Sequence, residues 1–298
     1  MHKSVMLKEC IDNLSLKEDS IVIDCTLGYA GHSSEILKRI KKGYLYAFDQ
    51  DDKAIESSYK RLSEIGDNFK IINSNFVNLK ENVNILVDAI LYDLGVSSPQ
   101  LDEENRGFSF HKDFRLDMRM NQNQELDAHY VVNNYSYQQL VKIFKEYGEE
   151  KYATSIANGI IKSRPIDTTL QLVEVIKNNV PYSYRNEKHP ARKVFQAIRI
   201  EVNDELNVFE KSLRQALDLI KVNGRICVIT FHSLEDKICK RIFKEVSEVS
   251  SNLKDLPVIP IEYQPKFKII GNINPTKEEL DLNNRSRSAK LRIIERVR

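Results

Sequence analysis

The chain has 298 residues, 41% hydrophobic and 30% charged, with 45 Lys and Arg against 43 Asp and Glu for a formal net charge of +2. That profile belongs to a folded globular chain and argues against long disorder, which needs fewer apolar residues and a larger net charge. Near-neutrality also argues against a protein that grips nucleic acid with its whole surface.

No apolar run approaches the ~18 residues of a membrane span, and the start, Met1-His2-Lys3-Ser4-Val5, has no continuous apolar stretch of the signal-peptide kind. A cytoplasmic protein with no membrane partner is therefore expected. Cys10, Cys25, Cys227 and Cys239 form no C-x-x-C pair, so reduced, buried thiols are expected in preference to disulfides or zinc.

Along the chain, strand and helix signals alternate first. Ser20–Cys25 is a short apolar run ending in an acid and then glycines, and a helical stretch follows near Ser33–Ile40. Gly43–Asp49 is a second strand, Asp52–Ile65 a helix, Phe69–Ile72 a third strand and Val87–Asp93 a fourth, again closed by an acid. Near-continuous apolar strands separated by helices predict a buried parallel sheet, hence an α/β doubly wound fold. From Glu103 to about Arg199 the spacing becomes helical, as at Leu140, Ile143, Phe144 and Tyr147, with Thr168–Gln171 resembling a helix cap. The alternation then resumes. A helix carrying Leu206, Phe209, Leu213, Ala216 and Ile220 is expected to stop at Asn223-Gly224, before a fifth strand at Arg225–Phe231 and two late strands at 266–270 and 290–297 that can pair. The division predicted is a discontinuous core, 1–102 with 201–298, and a helical insertion, 103–200.

Charge follows the same partition. Residues 1–102 sum to −4, and 103–200 and 201–298 to +3 each. Two basic clusters, Arg185/Lys188/Arg192/Lys193/Arg199 and Arg285/Arg287/Lys290/Arg292/Arg296/Arg298, raise the expectation of a polyanionic partner.

Three segments can carry chemistry. Asp24-Cys25-Thr26-Leu27-Gly28-Tyr29-Ala30-Gly31-His32-Ser33 is a glycine-bearing strand-to-helix turn, where backbone can approach a nucleotide-like cofactor closely. It is not the dinucleotide G-x-G-x-x-G, and a plain tight turn would need the same glycines. Asp49, 18 residues after Gly31, ends the second strand, where a carboxylate can accept both ribose hydroxyls of an adenosine cofactor. It could equally cap a helix, a role open also to Asp51 or Asp52. Asp93-Leu94-Gly95-Val96-Ser97-Ser98-Pro99-Gln100 follows the fourth strand. An acceptor there can bond the N–H groups of an exocyclic amine and draw its delocalised lone pair toward reaction. Cofactor contact ranks ahead of base catalysis for Asp93.

With these segments in order, the chain resembles the bacterial small-subunit ribosomal RNA methyltransferase H family. The resemblance spans nearly the whole chain, through Val5–Glu9, the glycine loop, Asp93–Asp102, Arg106–Phe110, Leu116–Met120, Tyr147–Glu150, His189–Ala191, Phe195–Ile200, Phe231–Asp236 and Arg285–Arg292. It implies a class I fold using S-adenosylmethionine, with methylation of the N4 amine of a cytosine in the decoding region of 16S rRNA, free or in the small ribosomal subunit. It implies cofactor contacts at Ala30, Gly31, His32, Asp49, Phe76, Asp93 and Gln100. Phe231 and His232 are candidates to meet the target base, and Arg192, Lys193, Arg285, Arg287 and Arg292 to meet RNA; a homodimer is compatible.

Three positions depart from the family pattern. Tyr29-Ala30 replaces Gly-Gly, and Ala30 should fit if its φ stays negative; Arg192 replaces threonine, and Asn284 replaces proline. Ser233 with Glu235 or Asp236 could instead cap a helix, and Arg106, Arg115 and Arg119 lie near enough to Asp113 and Asp117 for internal ion pairs. His111, His129 and His189 are taken as structural or surface residues, and no spacing supports a metal. The alternatives are another RNA or DNA amino-methyltransferase, a nicotinamide-dependent oxidoreductase, and a non-catalytic RNA-binding scaffold.

Overall fold

The computed structural model describes residues 4–97, 100, 106–187, 189–249 and 260–298. The chain divides into two compact units, Met1–Gly95 with Leu206–Arg298, and Val96–Glu205. The seams fall after Gly95 and Glu205; the expectation set them at 102 and 200.

The first unit is built on seven strands: β1 (Ile21–Asp24), β2 (Tyr44–Asp49), β3 (Phe69–Asn73), β4 (Val87–Asp93), β5 (Ile220–Thr230), β6 (Phe267–Ile273) and β7 (Lys290–Arg296). Their order is β3-β2-β1-β4-β5-β7-β6. β1 to β5 pair in parallel, while β7 runs antiparallel to both β5 and β6. This is the class I methyltransferase arrangement of the doubly wound α/β fold. The order reverses between β1 and β4, and in doubly wound sheets ligands bind at such a switch point, outside the carboxyl ends of the strands.

Burial on both faces explains the apolar strands. Ile23, Ile90, Tyr92, Ile226, Val228 and Ile294 enter one core cluster. Val22, Leu45, Ala89, Leu91, Cys227 and Ile293 enter the other. Neighbours along each strand alternate between the clusters, as a period of two requires. All four cysteines are buried free thiols, as expected.

One prediction fails here. Asn223-Gly224 does not end the preceding helix, which spans Glu205–Leu219; both residues lie inside β5. Val87 pairs with Ile220 but Ala89 with Arg225, so the ladder bulges between them. Asn223 takes φ 66°, and a Cβ on Gly224 would come within 2.8 Å of the Asp88 carbonyl. Asn-Gly supplies the left-handed conformation and the close approach of a bulge, local requirements that it shares with a helix stop.

The second unit is helical: Ala128–Asn134, Tyr137–Glu146, Ala153–Ser163, Thr169–Asn178, Tyr182–Glu187 and Ala191–Asn203. Its core gathers Leu140, Phe144, Ile156, Ile160, Leu172, Ile176, Val194 and Ile198. Capping boxes start two of the helices, Ser136 with Gln139 and Thr168 with Gln171. Among the described residues, no helix is long and apolar enough to cross a membrane.

Candidate cofactor site at the sheet edge

Three carboxylates stand at the carboxyl ends of adjacent strands: Asp24 on β1, Asp49 on β2 and Asp93 on β4. Each has a different hydrogen-bond environment.

Asp24 is the organiser. Its Oδ2 accepts the Ser33 hydroxyl at 2.6 Å and its Oδ1 the Thr26 N–H at 3.0 Å. The Thr26 hydroxyl leans back on the same Oδ1 at 3.4 Å and accepts the Asp93 N–H at 2.7 Å. Asp24 thereby ties the β1 loop, the following helix and the end of β4 together. Burial raises its pKa, against the opposing pull of those donors. In the sequence this network shows only as an acid at the end of three strands.

Asp49 pins the glycine loop from the next strand. Oδ2 accepts the Gly28 N–H at 2.8 Å, while Oδ1 accepts the N–H groups of Gln50 and Asp51 at 2.8 and 2.9 Å. Burial lifts its pKa to about 6 against these three bonds. Asp51 caps the Asp52–Ser63 helix, accepting the Lys53 N–H, so the capping role falls to Asp51.

The loop itself is left-handed twice, at Gly28 with φ 49° and at Ala30 with φ 58°. The negative φ required of Ala30 is therefore not found. A methyl side chain occupies a region that costs an L-residue roughly 1–2 kcal/mol, which is the physical reason glycine suits this position. Ala30 is wholly buried and precedes the first residue of the Gly31–Arg39 helix.

His32 opens that helix with its imidazole buried, Nε2 3.1 Å from the Val5 carbonyl. A carbonyl only accepts, so Nε2 carries the proton. Burial lowers the imidazole pKa to about 4, which leaves Nδ1 a bare lone pair at neutral pH. Asp93 Oδ2 lies 3.5 Å from that lone pair. Two acceptors face each other unless Asp93 holds a proton, so the contact is not an ion pair. Burial, with Asp24 and Glu235 nearby, drives the Asp93 pKa up to about 8. Its other oxygen, Oδ1, is buried without a hydrogen-bond partner among the described residues.

Phe76 begins a short 3-10 turn after β3, with its ring edge-on to Tyr92 at 5.8 Å between centroids. Gln100 belongs to the second unit, where Oε1 accepts the Ser97 N–H at 2.9 Å.

After β5, Phe231 and His232 are held by Glu235. The buried Glu235 carboxylate accepts the N–H of Phe231 at 2.7 Å and of His232 at 3.3 Å. The helix cap is His232 itself, not Ser233: its Nδ1 accepts the Glu235 N–H at 3.4 Å. Nε2 then carries the proton, 3.2 Å from Glu235 Oε1 but not aligned for a hydrogen bond. Phe231 lies beside Gly95, whose absent Cβ would sit 3.7 Å from the ring.

The basic residues separate. Arg192 and Arg287 are exposed, while the Lys193 ammonium donates to the Glu149 carbonyl at 2.7 Å. Arg285 is half-buried in the turn Asn284–Ser288. Arg292 corrects the expectation. Its guanidinium forks onto Asp236 at 2.7 and 3.1 Å with its side chain 14% exposed, which spends its charge inside the protein. Arg115 and Arg119 pair internally with Asp117 and Asp127, and the buried Arg106 donates to the Arg119 and Met120 carbonyls.

Known proteins are similar to this chain along its whole length. A curated Ribosomal RNA small subunit methyltransferase H from Exiguobacterium sibiricum is 52% identical, covering all of this chain and 98% of that protein. Among solved structures, an rRNA methylase from Streptococcus thermophilus is 13% identical with a TM-score of 0.48, covering 100% of this chain and 99% of that one. A Streptococcus mutans protein in complex with SAH is 14% identical with a TM-score of 0.45, covering 99% of both chains. The model of the MraW methylase family matches residues 1–297, and on that match and the full-length 52% identity this chain belongs to that family.

Proposed function

We propose that this chain methylates the exocyclic N4 amine of a cytidine in the decoding region of 16S rRNA, with S-adenosylmethionine as donor. The carrying observation is Asp93: a protonatable carboxylate with one bare buried oxygen, at the switch point of the sheet. The glycine loop fits the cofactor beside it. Gly28 and Ala30 present left-handed backbone, and the helix opened by Gly31 and His32 has no side-chain cap from Ala30, its N-cap residue.

In this reading Ala30, Gly31 and His32 line the cofactor's amino-acid end, Asp49 accepts the ribose hydroxyls, and Phe76 flanks the adenine. The cofactor supplies a methyl already activated by its sulfonium charge. Asp93 would position the amine by accepting an N–H at Oδ1, and as the carboxylate it would take the proton that the nitrogen releases as the N–C bond forms and the methyl's bond to sulfur breaks. Phe231 and His232, fixed by Glu235, hold the cytosine, which must leave its stack to be reached. The exposed Arg192 and Arg287, with the half-buried Lys193 and Arg285, bind the RNA. The chain acts in the cytoplasm.

The test is a map of N4-methylcytidine in small-subunit rRNA from cells with and without the protein, joined to methyl transfer by the purified chain onto small subunits. Loss of one N4-methylcytidine in the deletion and its return in vitro is the expected result. An unchanged map, or no binding of S-adenosylmethionine by calorimetry, overturns the reading.

A further inference from the structure

Two motifs far apart in the chain, Arg106–Phe110 and His189–Ala191, have no part in the cofactor site, yet the helical unit brings them into contact. The Phe110 ring stacks on His189 with centroids 4.6 Å apart and 22° between planes. His111 lies against the same ring at 4.4 Å and meets His189 edge-on at 5.5 Å. Phe195 closes the inner side of Phe110 at 5.6 Å, while His111 is exposed.

The loop carrying this cluster is pinned along its length. Gly107 takes φ 67°, where a Cβ would strike the Arg115 carbonyl at 2.5 Å, and the buried Arg106 anchors its start. The Ser109 hydroxyl accepts the His111 N–H at 3.2 Å. Thr169 clamps the far end, donating to the Lys112 carbonyl at 2.6 Å and accepting the Phe114 N–H at 3.0 Å. An exposed aromatic ring held this way loses little freedom when something stacks on it.

The setting is cationic. Lys112, Lys177 and Arg192 are exposed. Arg192 sits one turn after His189, its N–H on the His189 carbonyl at 3.1 Å. Lys177 lies near enough to His189 to help burial lower its pKa. His189 Nδ1 is buried with no hydrogen-bond partner among the described residues. Packing alone does not explain a cluster that forgoes a hydrogen bond and exposes a ring beside positive charge. A base on an aromatic face with its phosphate on Lys or Arg does.

We infer that Phe110, His111 and His189 form a stacking platform for one unpaired RNA nucleotide, with Lys112, Lys177 and Arg192 receiving its phosphates. This inference rests on the reading that RNA is the substrate, and adds a contact separate from the methylated base.

The test is binding of the full chain to a short single-stranded oligoribonucleotide and to an abasic ribose-phosphate oligomer of equal length, by fluorescence anisotropy. His111→Gln should weaken the base-bearing oligomer roughly tenfold and leave the abasic one unchanged, since stacking needs the base. His111→Phe, which keeps a ring, should restore binding. Arg192→Gln should weaken both oligomers and flatten their salt dependence. Calorimetry with S-adenosylmethionine should be unchanged in all three variants, which excludes misfolding. Equal affinity of wild type and His111→Gln for the base-bearing oligomer, or no binding by wild type, overturns the platform. Failure of the methyl-transfer reading shows separately, as absent cofactor binding or an unchanged methylation map with the oligonucleotide results intact.

Discussion

Replacing Asp93 by asparagine tests the electrostatics of the site directly. The substitution keeps the shape and removes the titration. In the folded protein the Asp93 pKa is pushed up to about 8, mainly by burial, from an ordinary value of 3.8. The folded state thus binds this proton more tightly than the unfolded state. The resulting stability is complete below the unfolded pKa and is lost as pH rises through the folded one. Each pH unit inside that window costs about 1.4 kcal/mol. Between about pH 5 and pH 7 the wild type should therefore lose roughly 3 kcal/mol relative to Asp93→Asn, other groups cancelling between the two. Urea denaturation of both proteins across this range measures the difference. The cofactor provides a second readout. A sulfonium charge near Asp93 favours its ionised form, so binding of S-adenosylmethionine at neutral pH should expel a proton, while the uncharged demethylated product should expel less. Calorimetry in buffers of different ionisation enthalpy counts that proton. Parallel pH profiles for the two proteins, with no proton release by the wild type, would refute the assignment of a protonated Asp93.

Asp49→Ala should weaken S-adenosylmethionine binding by about 1.5–3 kcal/mol, the value of a charged acceptor, as read by calorimetry; unchanged affinity would remove Asp49 from the site. Ala30→Gly should stabilise the protein by about 0.5–1 kcal/mol in urea, because relief of a left-handed alanine outweighs the added freedom of the unfolded chain. Arg287→Gln should lower the salt slope of RNA binding by about one with stability almost unchanged. Arg292→Gln should leave that slope alone and cost roughly 1–3 kcal/mol of stability, because it strips Asp236 of its fork. A reversal of that contrast would return Arg292 to the RNA surface.

How far the sequence is legible depends on the range of the forces involved. The strands β1 to β4 announce themselves because burial on both faces demands continuous apolar runs, and their closing acids mark one end of the sheet. Asp51 was an open candidate for a cap because capping is decided within one turn of chain. At Asn223-Gly224 the same local logic misleads, since a left-handed Asn-Gly serves a helix stop and a β-bulge equally; only the partner strand distinguishes them. His232 hid as a cap for a related reason. Its Nδ1 takes the place usually filled by a serine or aspartate oxygen, and a ring nitrogen in that role has no signature in spacing.

Local propensity, burial pattern and charge counts are properties of neighbouring residues, so the sequence by itself determined the α/β alternation, the helical middle, the glycine loop and the strand-end acids. Partners across the fold are not encoded in that way. The sequence placed Arg292 among six basic residues of the tail; the tertiary structure spends it on Asp236, 56 positions away, while leaving Arg287 exposed. Likewise the net charge of +2 describes the chain as a sum, but which cations face solvent, and which carboxylate keeps its proton, is set by desolvation and by distance. Both exist only once the chain has folded.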